Sequence, residues 1–255
     1  MTIFVVAHKD VQRLSELSTP YRALFVGDNK YALRDKYPNS ETDDTGDNIS
    51  AKNPSYCELT ALYWIWKNCD DNYKGMVHYR RFFQETSSPE SPLLSESDIL
   101  GILNKYQLIV PKKYPLMTTV KKHYASHHHA SDFELLGRAI SEICPDYVDD
   151  FNECEGYHYF YPYNMLIANR NAFNNYINWM FSVLGYVDDN RTEGNDEVGY
   201  QSRWVGFLSE RLMSVWLHHN RYSFYECDVP LPEISFKQKM SMQLGEICHQ
   251  LADSD

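Results

Sequence analysis

Residues Thr2 to Ala7 (TIFVVA) form a continuous apolar run that ends at His8, Lys9 and Asp10. Six residues without alternation are too few for a bilayer span and read as a strand covered on both faces, as in a parallel sheet. Ligands of open α/β sheets sit at the carboxyl ends of such strands, which makes His8 a candidate binding residue. A second short strand is expected at Tyr21 to Val26, stopped by Gly27, before a polar loop. The segment NPSYCELTALYWIWKN then predicts one helix, with Asn53 as N-cap, Pro54 at the first position, and Leu59, Leu62, Tyr63 and Trp66 at helical spacing. Lys74 to Val77 follows as a parallel strand whose end delivers His78, Tyr79, Arg80 and Arg81.

Further along, a loop is expected over 87–92, a short helix from Glu96 to Asn104, and a strand at Gln107 to Val110 ended by Pro111. An irregular middle region follows. It places four of the ten His (His123, His127, His128, His129) in what reads as a mobile loop before a helix from about Ser131 to Ile143. Ser131 or Asp132 is the expected cap of that helix. Then come a strand near Asn164 to Ala168, a long amphipathic helix, and a last helix with Trp204, Phe207, Leu208, Leu212, Val215 and Trp216 on one stripe. A final strand is expected at Tyr222 to Glu226. Strands alternating with helices imply an α/β fold with a mostly parallel central sheet flanked by helices. At 255 residues, with neither repeat nor linker, one domain over 1–235 and a C-terminal tail over 236–255 are expected.

The net charge of −11 excludes the basic footprint of a nucleic-acid binder. The six Cys form no CxxC pair, the amino terminus lacks a signal-peptide pattern, and no stretch approaches the roughly 20 apolar residues of a span. A cytoplasmic protein with reduced thiols is expected, its membrane contact at most peripheral. Aromatic residues reach 15% and either fill the core or line sugar and nucleobase sites.

Several constellations could carry chemistry. In GMVHYRRFF two adjacent Arg stand at a strand end, suited to bidentate pairing with a diphosphate, although one could be a structural ion-pair partner. The loop DDTGDNISAKN precedes a helix whose amino end favours an anion, with Asp47, Asn48, Lys52 and Asn53 as candidates, and it reads equally as a self-capping loop. The histidine cluster with Asp132 invites zinc, but adjacent imidazoles in HHH cannot all turn to one ion and no HExxH supports them. An acceptor-site or base role, or a polar surface loop, remains. Glu210 and Arg211 read as a buried ion pair or as catalytic groups.

Taken together, DDTGDNISAKNPSYCELTALYWIWKN, GMVHYRRFF, FYPYNMLIANR and GYQSRWVGFLSERL resemble the DUF4422 family of bacterial capsule, exopolysaccharide and O-antigen gene clusters, over roughly residues 1 to 225. The resemblance implies a GT-A-like glycosyltransferase fold, and members of the family look like galactofuranosyltransferases that use UDP-galactofuranose. Its motif matches at Asp47, Asn48, Ile49, Ser50, Lys52, Asn53, Glu58, His78, Tyr79, Arg80, Arg81, Asn164, Arg203, Gly206, Glu210 and Arg211. GT-A enzymes hold manganese on an Asp-x-Asp after the strand where HYRR stands here. A cofactor ion (Mn or Mg) is therefore not expected, the acidic pairs Asp43–Asp44 and Asp188–Asp189 being the alternative ligands, and Arg80 or Arg81 would neutralise the diphosphate. The implied site has His8, Asp47, Asn48, Lys52, Asn53, Tyr79, Arg80 and Arg81 on the donor, and His127, Tyr163, Asn164 and Arg203 on a glycan acceptor that could be lipid-linked. For an inverting transfer, the base candidates are Asp132, then Glu210, then His78. A pyranose donor, or a non-catalytic sugar-binding assembly protein, is the alternative.

Overall fold

The computed structural model describes residues 1–84, 93–192 and 199–230. The loop expected over 87–92 and the tail from 236 lie outside them. In chain order the strands are β1 (Thr2–Ala7), β2 (Tyr21–Phe25), β3 (Glu41–Thr42), β4 (Tyr73–His78), β5 (Leu108–Pro111), β6 (Tyr114–Pro115), β7 (Tyr159–Phe160), β8 (Leu166–Asn169) and β9 (Phe224–Cys227). Seven form one sheet in the order β3-β2-β1-β4-β8-β5-β9, while β6 and β7 make a separate two-stranded ribbon. All neighbours in the sheet are parallel except β8, which runs antiparallel to β4 and β5.

The helices are α1 (Lys30–Lys36), α2 (Asn53–Tyr56), α3 (Leu59–Asn68), α4 (Glu96–Leu103), α5 (Val120–His127), α6 (Ala130–Ile143), α7 (Val148–Glu155), α8 (Arg170–Asn190) and α9 (Trp204–Asn220). They cover both faces of the sheet, which explains why β1 is apolar throughout. Phe4 and Val6 enter a large core beneath α3, α6, α8 and α9, whereas Ile3, Val5 and Ala7 enter a smaller core on the opposite face. Gly75 in β4 is required by close approach: a Cβ there would lie 2.6 Å from the Leu166 carbonyl oxygen. Among the described residues no helix is long and apolar enough to cross a membrane, and the five Cys are free thiols.

The mixed α/β sheet flanked by helices is as expected, but several elements differ. The helix expected from Asn53 is broken at Cys57, whose φ is 49°. Asn53 is not an N-cap: its side-chain amide donates to the Cys57 carbonyl and to Thr60 Oγ1, satisfying a group that the break exposes. The region around the histidines is ordered as α5, capped by Thr119, rather than an irregular loop. Helix α6 starts at Ala130, so Asp132 lies inside its first turn instead of capping it. Phe207 leaves the buried stripe of α9 and faces a cleft. The last two strands lie one or two residues later than expected, at β8 and β9.

Candidate active site at the carboxyl ends of β1 and β4

From β1 the chain moves outward through β2 to β3, then returns to the other side of β1 as β4. The carboxyl ends of β1 and β4 thus flank a topological switch point, where an open α/β sheet leaves a crevice. A cleft of about 880 Å³ occupies it. Its floor is His8 after β1, Val26 after β2, and the tight turn His78–Arg81 that closes β4 through an His78 N–H bond to the Arg81 carbonyl. Asn53, Cys57 and Glu58 form one side at the α2–α3 break. The rest of the wall comes from α5 and the residue after it (His123, His127, His128), the ribbon (Tyr114, Phe160), the residues just before α9 (Tyr200, Arg203) and its first turns (Phe207, Glu210).

The floor is cationic. The Arg80 guanidinium lies 4.9 Å from the Tyr79 ring centre and that of Arg81 4.3 Å from that of Tyr163, while Arg203 Nε donates to Cys57 Sγ at 3.1 Å. Arg81 Nε is buried with no hydrogen-bond partner recorded. Burial, then Lys9 and Arg80, lowers the His8 pKa; burial also lowers that of His78, against the opposing pull of Glu58. Both rings are thereby biased to neutrality, and His78 Nε2 donates to the Tyr163 carbonyl oxygen at 2.7 Å.

Tyr163 and Asn164 both have positive φ, 75° and 52°. The sequence PYN has no glycine to ease this, so the turn is held from outside. Glu210 Oε1 accepts the Tyr163 N–H at 2.7 Å, His78 holds its carbonyl, and Asn164 donates to Glu58 Oε1 at 2.9 Å while accepting from Ser209. Glu210 Oε2 takes Arg211 Nη1 at 3.0 Å. Burial raises the Glu210 pKa even against this arginine. Glu210 and Arg211 are therefore the buried ion pair that was one of their two readings.

The structure brings together His8, Asn53, His78, Tyr79, Arg80, Arg81, His127, Tyr163, Arg203 and Glu210, with Asn164 directly behind them. Four others are not brought to the cleft. Asp132 is 2% exposed and both its oxygens engage Arg191, at 2.6 and 3.2 Å, which removes it as an acceptor of a substrate proton. Asp47 accepts from the Tyr63 hydroxyl and its backbone pairs with Asn68, so it fastens the loop to α3. Asn48 folds back on its own loop, donating to Gly46 and accepting from Ser50. Lys52 pairs with Asp188 at 2.6 Å. The 43–53 loop is the self-capping structure, and its Asp43 is buried on Lys30, Ser50 and Thr60.

Cleft residues to which sequence reasoning gave no functional role are Cys57, Tyr200 and Phe207; His123 and His128 entered only as members of the histidine cluster, and Glu58 only as a family match. Nothing in the spacing marks Glu58, because an acidic residue before a helix is the ordinary complement of its dipole. The end of β4 offers an imidazole and two guanidinium groups, Asp188 is committed to Lys52 and Tyr56, and no group of three or more His, Cys, Asp or Glu among the described residues could hold an ion.

A mostly parallel sheet with helices on both faces and with arginine and histidine at its switch point defines an α/β protein with a cationic cleft at the carboxyl ends of its strands. The chain belongs to the DUF4422 family, described as a domain of unknown function, which matches residues 2–221. A solved structure described as the apo form of WbbM, a bifunctional glycosyltransferase, is similar over 91% of this chain, with 25% identity and a TM-score of 0.78. The chain spans 45% of that protein's length. No curated protein matches.

Proposed function

We propose that this chain is a glycosyltransferase of the GT-A type that moves a hexosyl group from a UDP-sugar to a hydroxyl of a glycan acceptor in bacterial surface-polysaccharide synthesis. The observation that carries it is the pair Arg80 and Arg81 at the carboxyl end of β4, with Arg203 on the adjoining wall of the same cleft. Fixed guanidinium charges suit a diphosphate whose negative charge grows as it leaves. Galactofuranose is the donor sugar that the family resemblance favours, with inversion at the anomeric carbon and an acceptor that can be lipid-linked.

Inversion needs a carboxylate that takes the acceptor proton as the acceptor oxygen bonds to the anomeric carbon and the bond to UDP breaks. Glu210 has both oxygens engaged, whereas Glu58 lines the cleft with Oε1 held by Asn164 and no hydrogen-bond partner for Oε2 among the described residues. Glu58 is therefore the base. His78 positions the Tyr163 turn rather than moving a proton. Donor hydrolysis and transfer with UDP-galactofuranose and UDP-galactose, with and without EDTA, test the assignment. Turnover that survives EDTA, falls in Arg80→Ala and Arg81→Ala, and is abolished in Glu58→Gln while UDP still binds is the expected result. Full turnover in the arginine variants, or no binding of any UDP-sugar, would sink it.

A further inference from the structure

One wall of the cleft differs in kind from the rest. His123, His128, Tyr200 and Phe207 carry no fixed charge, and their rings form one aromatic surface through the His127 ring between His123 and His128. The His128 ring stacks on Phe207 at 4.1 Å between centres and lies 6.2 Å from Tyr200, itself 62% exposed, while Phe160 is 6.0 Å from His123. Burial holds both imidazoles neutral, pulling His128 down to about 4 and His123 down to about 3.

The tautomers follow from their partners. Gln201 Nε2 donates to the His127 carbonyl at 2.9 Å, so Gln201 Oε1 is an oxygen, and His128 Nδ1, 3.1 Å from it, must be the donor. The neutral ring then keeps a lone pair at Nε2. Arg211 can only donate, so His123 Nδ1, 3.4 Å from its Nη2, is an acceptor and the proton sits on Nε2. Two rings on either side of His127, 4.5 and 6.4 Å from its ring centre, thus carry opposite functions, an acceptor at His128 and a donor at His123. A sugar hydroxyl, which both donates and accepts, matches that pair, and the exposed Tyr200 ring offers a flat surface to the apolar face of a pyranose or furanose.

We propose that this wall is the subsite for an uncharged sugar residue of the acceptor, with His128 reading a hydroxyl and Gln201 positioning His128. The proposal rests on the glycosyltransferase reading for the word acceptor, but the subsite itself can be tested without turnover. Away from Arg203 at its edge, the described part of this wall offers a phosphorylated or carboxylated sugar no cation other than Arg211, which is paired with Glu210. Arg203, at 5.7 Å from the Phe207 ring centre, marks its border with the cationic floor.

The experiment is saturation-transfer NMR with the whole chain, with UDP present, using methyl β-D-galactopyranoside, methyl β-D-galactofuranoside and a methyl galacturonoside as probes. The neutral glycosides are expected to bind in preference to the uronoside. His128→Ala weakens their binding about tenfold, the equivalent of one hydrogen bond with a neutral partner, with UDP affinity unchanged as the check on folding. Gln201→Met lowers glycoside binding in the same direction without moving UDP, because the ring loses its fixed tautomer. Unaltered glycoside binding in His128→Ala, or a uronoside that binds as well as the neutral sugars, overturns the proposal. Failure of UDP to bind the unmodified chain counts against the transferase reading alone, while the glycoside arm still decides the subsite.

Discussion

Asp132→Asn separates a structural role from a catalytic one. The Asp132 and Arg191 side chains are each 2% exposed, and Arg191 also lies 4.5 Å from the Trp204 ring centre. The pair joins the first turn of α6 to the residue that follows α8. Removing one partner of a buried pair strands the other charge, at a cost of about 3–5 kcal/mol. Asparagine keeps one oxygen for Arg191 Nε, which places this variant at the lower end, about 3 kcal/mol. For a domain of this size that corresponds to a fall in Tm of roughly 6–12 °C. Differential scanning calorimetry gives the Tm, and activity normalised to the folded fraction gives the chemistry. The expected outcome is a lowered Tm with turnover per folded molecule intact. A Tm equal to the parent's together with lost turnover would refute the argument and return Asp132 to the list of bases.

Lys74 is fully buried with its ammonium on the Ile65 and Cys69 carbonyls at the end of α3; Ile65 keeps the Cys69 N–H, so Lys74→Met strips the Cys69 carbonyl of its ammonium partner and lowers the free energy of unfolding by about 1–3 kcal/mol, read by urea titration. Ser95 and Asp98 form a capping box on α4, and Ser95→Ala costs about 1 kcal/mol, read by the same titration. Below pH 6.5 the unfolded chain takes up protons that folded His123 and His128 refuse until about 3 and about 4. Their contribution is complete above 6.5 and is lost as the pH falls towards 4, so the urea midpoint drops between pH 7 and pH 5. A His123→Phe, His128→Phe double variant flattens that slope; an unchanged slope contradicts neutral buried rings.

The sheet and its ligand-binding end were legible because their signals are local. The unbroken run Thr2–Ala7 and the order strand, helix, strand up to His78 placed β1, β4 and the arginine turn correctly. What escaped depends on partners far along the chain. Asp132 looks like a loop carboxylate until Arg191, 59 residues later, closes on it. The break at Cys57 gives no warning, since cysteine carries none of the conformational preference that glycine would have announced. Glu58 acquires its place only through Asn164, and the histidines of α5 acquire theirs only through Gln201 and Arg211. The Asp47 loop misled in the opposite way: polar composition ahead of a helix fits a ligand and a self-fastening loop equally well, and Tyr63 and Asn68 decide for the latter.

The turn at Tyr163 has one further consequence. Its N–H is held from α9 by Glu210 and its carbonyl from β4 by His78. A single peptide segment therefore pins the arginine floor to the helix that carries the aromatic wall. The two halves cannot drift apart without breaking bonds to one residue, yet the wall's outer residues, Tyr200 and Gln201, lie beyond the pin. If the wall is the proposed sugar subsite, substitutions at Tyr200 and Gln201, just before α9, change the sugar it takes while the floor stays in register.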